Sequence, residues 1–274
     1  MSEPRVWVIT GVTSGFGRAI AEAALDAGDV VVAAVRRPDA LEDLADRVSV
    51  VRVDTTDIDS MPGVVDQVLA QHGRIDVLVN NAGRGHLGAV EEATDAELRA
   101  LMDLHFFGPA ALTRLVIAHM RERGSGDIVQ MSSMGGRTTF PGVGAYSATK
   151  YALEGWSEAL AAEVAPFGIR VMIVEPGAFR TGFNNAGAIM NSEPLEAYAD
   201  QIEPLRKTFA EQAGKQPGDP ANAAAAIVQA LAAEQPPLHL VLGNDAVEMV
   251  GATLKEQQAE LTEWETVSRS TDFD

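Results

Sequence analysis

The chain has 274 residues, 46% of them hydrophobic and 22% charged, enough to bury a substantial core and to fit one α/β domain over 1–274. A net charge of −18 sets it against nucleic acid, whose phosphates it would repel, and the absence of cysteine excludes disulfides and thiolate metal sites. No apolar run approaches the ~20 residues that span a bilayer, and the strand-like Val6-Trp7-Val8-Ile9 leaves no room before it for a signal peptide, so a cytoplasmic protein without a membrane partner is expected.

In chain order, apolar β-branched runs predict strands at Val6–Ile9, Val30–Val35, Val48–Val53, Val77–Asn80, Asp127–Met131 and Arg170–Glu175, with a last one at His239–Leu242. These runs are continuous rather than alternating, as parallel strands covered on both faces require. Amphipathic segments between them predict helices at Gly15–Ala27, Ser60–His72, Asp95–Arg123 and Tyr146–Val164, the third opened by a capping box of Thr94 and Glu97. Strict alternation of strand and helix predicts a doubly wound, Rossmann-like parallel sheet of about seven strands with helices on both faces. Over 182–218 the pattern loosens: Asn184, Asn185, Gly187, Pro194, Pro204 and Pro217 interrupt it, and a mobile lid with one short helix near Leu195–Gln212 is expected. Asp219-Pro220 then opens a helix, and a charged helix over 246–268 closes the chain. Its Leu254, Leu261 and Trp264 lie close to one stripe, which is expected to pack on the domain.

Two places carry chemistry. Directly after the first strand, Thr10-Gly11-Val12-Thr13-Ser14-Gly15-Phe16-Gly17 leads into a helix. Glycines there allow a tight turn and close approach of backbone N–H groups to a pyrophosphate, and the helix N-terminus adds partial positive charge. At the end of the second strand, where a carboxylate would bind ribose hydroxyls, stand Arg36 and Arg37. A guanidinium fork suits a 2′-phosphate, so NADP(H) is favoured over NAD(H), with Arg36 the better candidate and Ser14 a helper. The second place is Tyr146-Ser147-Ala148-Thr149-Lys150, which sets a phenol and an ammonium one helical turn apart, with Ser133 preceding them. A fixed positive charge near a phenol favours the phenolate and makes the group a usable proton donor and acceptor.

These segments, with Asn80-Asn81-Ala82-Gly83 and Pro176-Gly177-Ala178-Phe179-Arg180-Thr181, together resemble the short-chain dehydrogenase/reductase family in its compact single-domain branch, over roughly residues 5–182. The resemblance implies hydride transfer between a nicotinamide and a carbonyl or alcohol. Ser133 would hydrogen-bond the substrate oxygen, Tyr146 would exchange its proton, and Lys150 would lower the tyrosine pKa and bind the nicotinamide ribose. It further implies that Asp54 meets adenine, that Asn81, Ala82 and Gly83 line the cofactor side, and that Pro176, Gly177, Phe179 and Thr181 hold the carboxamide end. A homodimer or homotetramer paired through two long helices is also implied. One position departs from the family: His105 stands where an asparagine usually helps to hold a water joined to the lysine. A neutral ring could keep that relay and add pH dependence, or it could simply be packed. No histidines are spaced as a metal site. Met134, Phe140, Val143, Phe179, Phe183, Ile189 and Met190 suggest a lipophilic small-molecule carbonyl or alcohol as substrate. Two alternatives are a nucleotide-binding regulatory protein without turnover, favoured only by His105, and a scaffold or interaction protein that uses the acidic helix Ala246–Val267.

Overall fold

Strands that are apolar on both faces need a helical layer on each side, and the chain supplies both. The computed structural model describes residues 3–44, 46–185 and 188–273; Gly187 of the expected lid therefore lies outside the described residues. The first elements are β1 (Val6–Thr10), α1 (Gly15–Asp26), β2 (Val30–Val35), β3 (Ser49–Arg52), α2 (Met61–His72) and β4 (Val77–Asn80). There follow β5 (Gly85–Leu87), α3 (Asp95–Met102), α4 (Gly108–Arg123), β6 (Gly126–Met131), α5 (Gly144–Val164) and β7 (Ile169–Pro176). The last are β8 (Ile189–Asn191), α6 (Ala199–Glu211), α7 (Pro220–Ala232), β9 (His239–Leu242) and α8 (Asn244–Arg269).

Seven strands form one parallel sheet in the order β3-β2-β1-β4-β6-β7-β9, which is the Rossmann-like doubly wound sheet the alternation predicts. On one face α2, α4 and α5 bury Val64, Val68, Leu112, Val116 and Leu160 against Val8, Leu78 and Ile128. On the other, α1 and α7 bury Ile20, Ala24 and Ile227 against Ile9, Val79 and Val174. The strand order reverses between β1 and β4, so the crevice above their carboxyl ends is the topological switch point at which such sheets bind ligands.

The Thr94–Glu97 capping box forms in full: Thr94 Oγ1 accepts from Glu97 N–H at 3.2 Å and Glu97 Oε2 from Thr94 N–H at 2.8 Å. The helix it opens runs on to Arg123 but is interrupted by a π-helical turn at Asp103–Phe107. Pro109 gives the cause, because it has no N–H to offer the His105 carbonyl four residues back, and widening the turn keeps its ring off that carbonyl. Contrary to the expectation that no segment could span a bilayer, this 29-residue stretch is long and apolar enough by composition, yet 50% of its most apolar window is buried inside the fold. Its apolarity serves the core beneath the sheet.

Two further features depart from expectation. Gly85–Leu87 and Ile189–Asn191 pair in parallel as a separate two-stranded sheet, which fastens the start of the lid to the loop after β4. The α8 stripe does not pack on the domain: Leu254, Leu261 and Trp264 are 48%, 62% and 56% exposed, and the helix is tied to the body mainly by buried Ala246 and Val250.

Candidate active site

The loop between β1 and α1 is clamped to the end of β4. Thr10 Oγ1 accepts from the N–H groups of Asn81 and Ala82 at 2.9 and 3.0 Å, and the Asn81 amide donates back to the Thr10 carbonyl at 2.8 Å. Gly11 turns the chain at φ +74°, a conformation that L side chains rarely adopt. Gly17 is needed for another reason. A Cβ there would run into the Asn81 amide and the Gly11 carbonyl, so only glycine lets the first turn of α1 sit this close beneath the loop. It is buried and, against the sequence expectation, does not line the cleft.

Gly11, Thr13, Ser14, Gly15 and Phe16 do line it. Ser14 is the N-cap of α1, its hydroxyl caps nothing, and no acidic residue occupies the first turn, so the partial positive charge of the helix end faces the cleft unopposed. Arg36 and Arg37 flank the same end, both exposed; among the described residues neither side chain has a carboxylate within ion-pair distance. Asp54 also borders it. Backbone and side-chain hydrogen bonds from Thr56 hold its carboxyl below the usual range, with a smaller contribution from Arg36. Asn81, Ala82 and Gly83 form the floor, and Pro176, Gly177, Phe179 and Thr181 the opposite wall. That wall is fixed by α8, where Asp245 Oδ2 accepts from Ala178 N–H at 2.7 Å, and by α1, where Phe16 packs at a tilt against Phe179 with ring centroids 5.1 Å apart.

At the other end of the same cleft, of about 830 Å³, the structure brings Ser133, Tyr146 and Lys150 together. Ser133 ends the run from β6, and its Oγ accepts from Gly135 N–H at 3.0 Å, which leaves its own hydrogen free to donate. Tyr146 and Lys150 lie on the first two turns of α5. The Lys150 ammonium donates to the Met131 carbonyl at 2.8 Å and stands 5.8 Å from the Tyr146 ring centroid. Burial pushes the Tyr146 phenol up to about 12, with the Ser133 hydroxyl acting the other way, and brings Lys150 down to about 8 against the pull of Glu154. The expected depression of the phenol by the lysine is not seen here: desolvation sets the direction, and the opposing contribution comes from Ser133.

His105 borders the cleft from the π turn and is 1% exposed. Thr149 Oγ1 donates to the Tyr146 carbonyl at 2.7 Å, so at its 2.9 Å contact with His105 Nδ1 it must accept. Nε2 then accepts from Arg84 N–H at 3.2 Å. This assigns the neutral Nδ1–H tautomer and commits both ring nitrogens to the protein. Burial, followed by the charge of Lys150, holds the imidazole well below its ordinary pKa. The ring is packed, and no nitrogen remains for a water.

Met134, Phe140, Val143, Phe179, Phe183 and Ile189 line the cleft as expected; Met190 does not. Sequence reasoning missed Phe209, Gln212 and Gln216, which α6 and the segment after it bring over the opening. It also missed the polar knot that holds the lid. Buried Glu92 accepts from Ala89 and Leu195 N–H, both at 2.9 Å, and from Arg206 at 3.0 Å, while Arg206 also donates to the Ser192 carbonyl at 2.9 Å. Ser192 Oγ in turn meets His86 Nε2 at 3.0 Å. These contacts tie the lid to the body, and His86, which also borders the cleft, is a buried part of the tie. Glu92 and Arg206 stand 114 residues apart, and nothing in the sequence pairs them.

With this geometry established, the comparisons fall into one pattern. The family model described as short chain dehydrogenase matches residues 5–191. The crystal structure of a short-chain dehydrogenase from Streptomyces avermitilis superimposes with a TM-score of 0.93 at 55% identity, covering 99% of this chain and 100% of that one. Oxidoreductase BOA17 of Botryotinia fuckeliana is 37% identical over 96% of this chain and 98% of its own length. The 3-ketodihydrosphingosine reductase of Bacteroides thetaiotaomicron is 38% identical over 88% of each chain.

Proposed function

This chain belongs to the short chain dehydrogenase family, and from that premise we propose that it uses NADP(H) to interconvert a lipophilic ketone or aldehyde with the corresponding alcohol. The observation that carries the reading is the convergence of Ser133, Tyr146 and Lys150 at one end of a cleft whose other end is a glycine loop under a helix N-terminus. The loop and the first turn of α1 fit a pyrophosphate, since backbone approach is open and the helix end is positive. Arg36, with no carboxylate partner among the described residues, fits a 2′-phosphate, and the Ser14 hydroxyl, which caps nothing, lines the same cleft. Bound at this site, the nicotinamide supplies or accepts the hydride.

The chain's own residues manage the oxygen. Ser133 donates its free hydrogen to the substrate oxygen and stabilises the charge that develops there. Tyr146 delivers its proton to that oxygen in reduction and recovers it in oxidation. Lys150, held by the Met131 carbonyl, exchanges the proton of Tyr146. Met134, Phe140, Val143 and Phe183 present an apolar wall that fits a lipophilic substrate, and a relative named as the reductase of a 3-keto compound supports the carbonyl class. A binding protein without turnover draws no support from His105, whose ring is fully engaged in packing.

A panel of ketones, aldehydes and alcohols followed by nucleotide absorbance tests the reading. Tyr146→Phe is expected to bind NADPH as the parent does and to lose turnover by at least about a hundredfold. Arg36→Ala is expected to raise the KM for NADPH about tenfold and leave that for NADH unchanged. Undiminished turnover in the first variant removes the proposed role of Tyr146; equal use of both nucleotides, insensitive to Arg36, removes the cofactor preference.

A further inference from the structure

Outside the cleft, behind the catalytic residues, a buried carboxyl group stands without a partner. Glu154 follows Lys150 by one turn on the same face of α5 and is 3% exposed. Among the described residues neither of its carboxyl oxygens has a hydrogen-bond partner, and Glu175 Oε2, on β7, has none either. Lys150 does not neutralise it. Its ammonium donates to the Met131 carbonyl, and among the described residues no carboxylate lies within ion-pair distance of it. A buried polar group left this way is costly unless something the chain does not itself supply completes it.

Two other groups face Glu154 across a gap. Its Oε2 is 3.5 Å from His239 Nδ1, and His239 Nε2 is 3.6 Å from Glu158 Oε1. One ligating atom from each of the three residues lies within 4.8 Å of the others. Such gaps are too wide for good hydrogen bonds. They suit an ion between the groups, since bonds of about 2.1 Å set tetrahedral ligands about 3.4 Å apart. The surroundings orient the ring for that role. Glu175 Oε1, a carboxylate oxygen, takes the Nδ1–H at 2.7 Å and also accepts from Arg137 at 3.0 Å. Arg137 stands 3.0 Å from Nδ1 as well, but it has only protons to give, so Glu175 remains the partner of both. His239 is thereby held as the Nδ1–H tautomer with its Nε2 lone pair free, as carboxylates hold metal-binding imidazoles elsewhere. Glu154, Glu158 and Glu175 set against Arg137 leave two negative charges, which one divalent cation cancels. The His239 and Glu158 side chains are 27% and 52% exposed, so an ion can enter from solvent.

We propose that Glu154, Glu158 and His239 Nε2 bind one divalent transition-metal ion of the Zn²⁺ class, completed by water, which fastens α5 to the edge strand β9. Imidazole beside carboxylates suits Zn²⁺ and its neighbours, whereas Ca²⁺ and Mg²⁺ take oxygen ligands. None of the three residues lines the cleft, so the ion takes no part in the hydride step. It braces from behind the helix that carries Tyr146 and Lys150, and joins it to the strand that leads into α8. In the metal-free chain a proton takes the ion's place on Glu154, as ligands must be deprotonated to bind a metal. The inference goes beyond the function proposed above and does not depend on it.

Calorimetric titration of the full chain with Zn²⁺ alone, after metal is removed with a chelator and without nucleotide, tests the site. One ion per chain with a micromolar or tighter Kd is expected, and a Tm higher by about 5 °C at saturation. Mg²⁺ at the same concentration is expected to give neither. Glu158→Gln and His239→Gln change partly exposed side chains that the fold can spare, and each is expected to weaken Zn²⁺ binding at least about tenfold. Co²⁺ bound in place of Zn²⁺ is expected to absorb in the visible, with a spectrum that His239→Gln alters. A chain that takes up no stoichiometric Zn²⁺ overturns the inference. Zn²⁺ held as tightly by both variants overturns it too, because the ion then sits elsewhere on the acidic surface. Full-strength binding in a folded Glu154→Gln removes the buried ligand and with it the proposed site. These readouts use no substrate, so failure of the proposed carbonyl chemistry leaves them unaffected.

Discussion

His105 shows how partners, and not residue type, set a side chain's chemistry. As a residue in a sequence it offers a donor, an acceptor and a pKa near neutrality. In place, Nδ1–H is given to Thr149, Nε2 receives Arg84 N–H, and burial keeps the ring neutral. His105→Asn is therefore expected to give a kcat pH profile superimposable on the parent between about pH 5 and pH 8, with stability lower by about 1–2 kcal/mol for the broken contacts. A limb of the parental profile near ~6.5 that vanishes in the variant would contradict the assignment. Legibility at this scale follows distance along the chain. Tyr146 and Lys150 could be read because helix geometry alone puts them on one face. Glu154 sits one more turn along and went unread, because its environment is made by Glu175 and His239 from strands far away in sequence.

Elements were legible where burial imposes a period and illegible where pairing is distant and short. The strands of the main sheet announce themselves through β-branched runs. The three-residue strands Gly85–Leu87 and Ile189–Asn191 carry no such run, and their register is set by a contact more than a hundred residues away. That pairing, which ties the start of the lid to the loop after β4, was therefore not legible. The anchor can be tested directly. Arg206 is the cation that neutralises buried Glu92 and also holds the Ser192 carbonyl. Arg206→Met would strand a carboxylate that is 1% exposed, and losses of about 3–5 kcal/mol follow when a buried pair is broken from one side. Because the damage is confined to the lid, KM for the carbonyl is expected to rise about tenfold while NADPH affinity, measured by fluorescence titration, stays near the parental value. A parental KM, or equal weakening of nucleotide binding, would show that the lid does not depend on this arginine.

At the scale of the whole molecule, composition gives the net charge of −18 but not how stability responds to pH, since that depends on which carboxyls are buried and with what. Two opposite cases are present. Burial works against the Asp76 carboxylate, but hydrogen bonds from Arg74 and the Val6 N–H, with the nearby charges of Arg74 and Arg123, hold its pKa below the usual range. It stabilises the fold above the unfolded value of ~3.9 and loses that contribution as pH falls through its folded value. Glu154 is the reverse. It binds its proton more tightly folded, at about 8, than unfolded, at ~4.3, so the folded state is favoured while the proton stays and is penalised as pH climbs between the two values. That penalty is of the order of a few kcal/mol, and it reaches its full size above the folded value. Glu154→Gln cannot ionise and escapes it. The stability difference between Glu154→Gln and the parent, from urea unfolding, is therefore expected to grow in favour of the variant from about pH 5 to pH 8 and to level off beyond. Taking the difference cancels the titration of groups that do not face Glu154, Asp76 among them. A difference that does not change with pH would mean that Glu154 ionises as easily folded as unfolded.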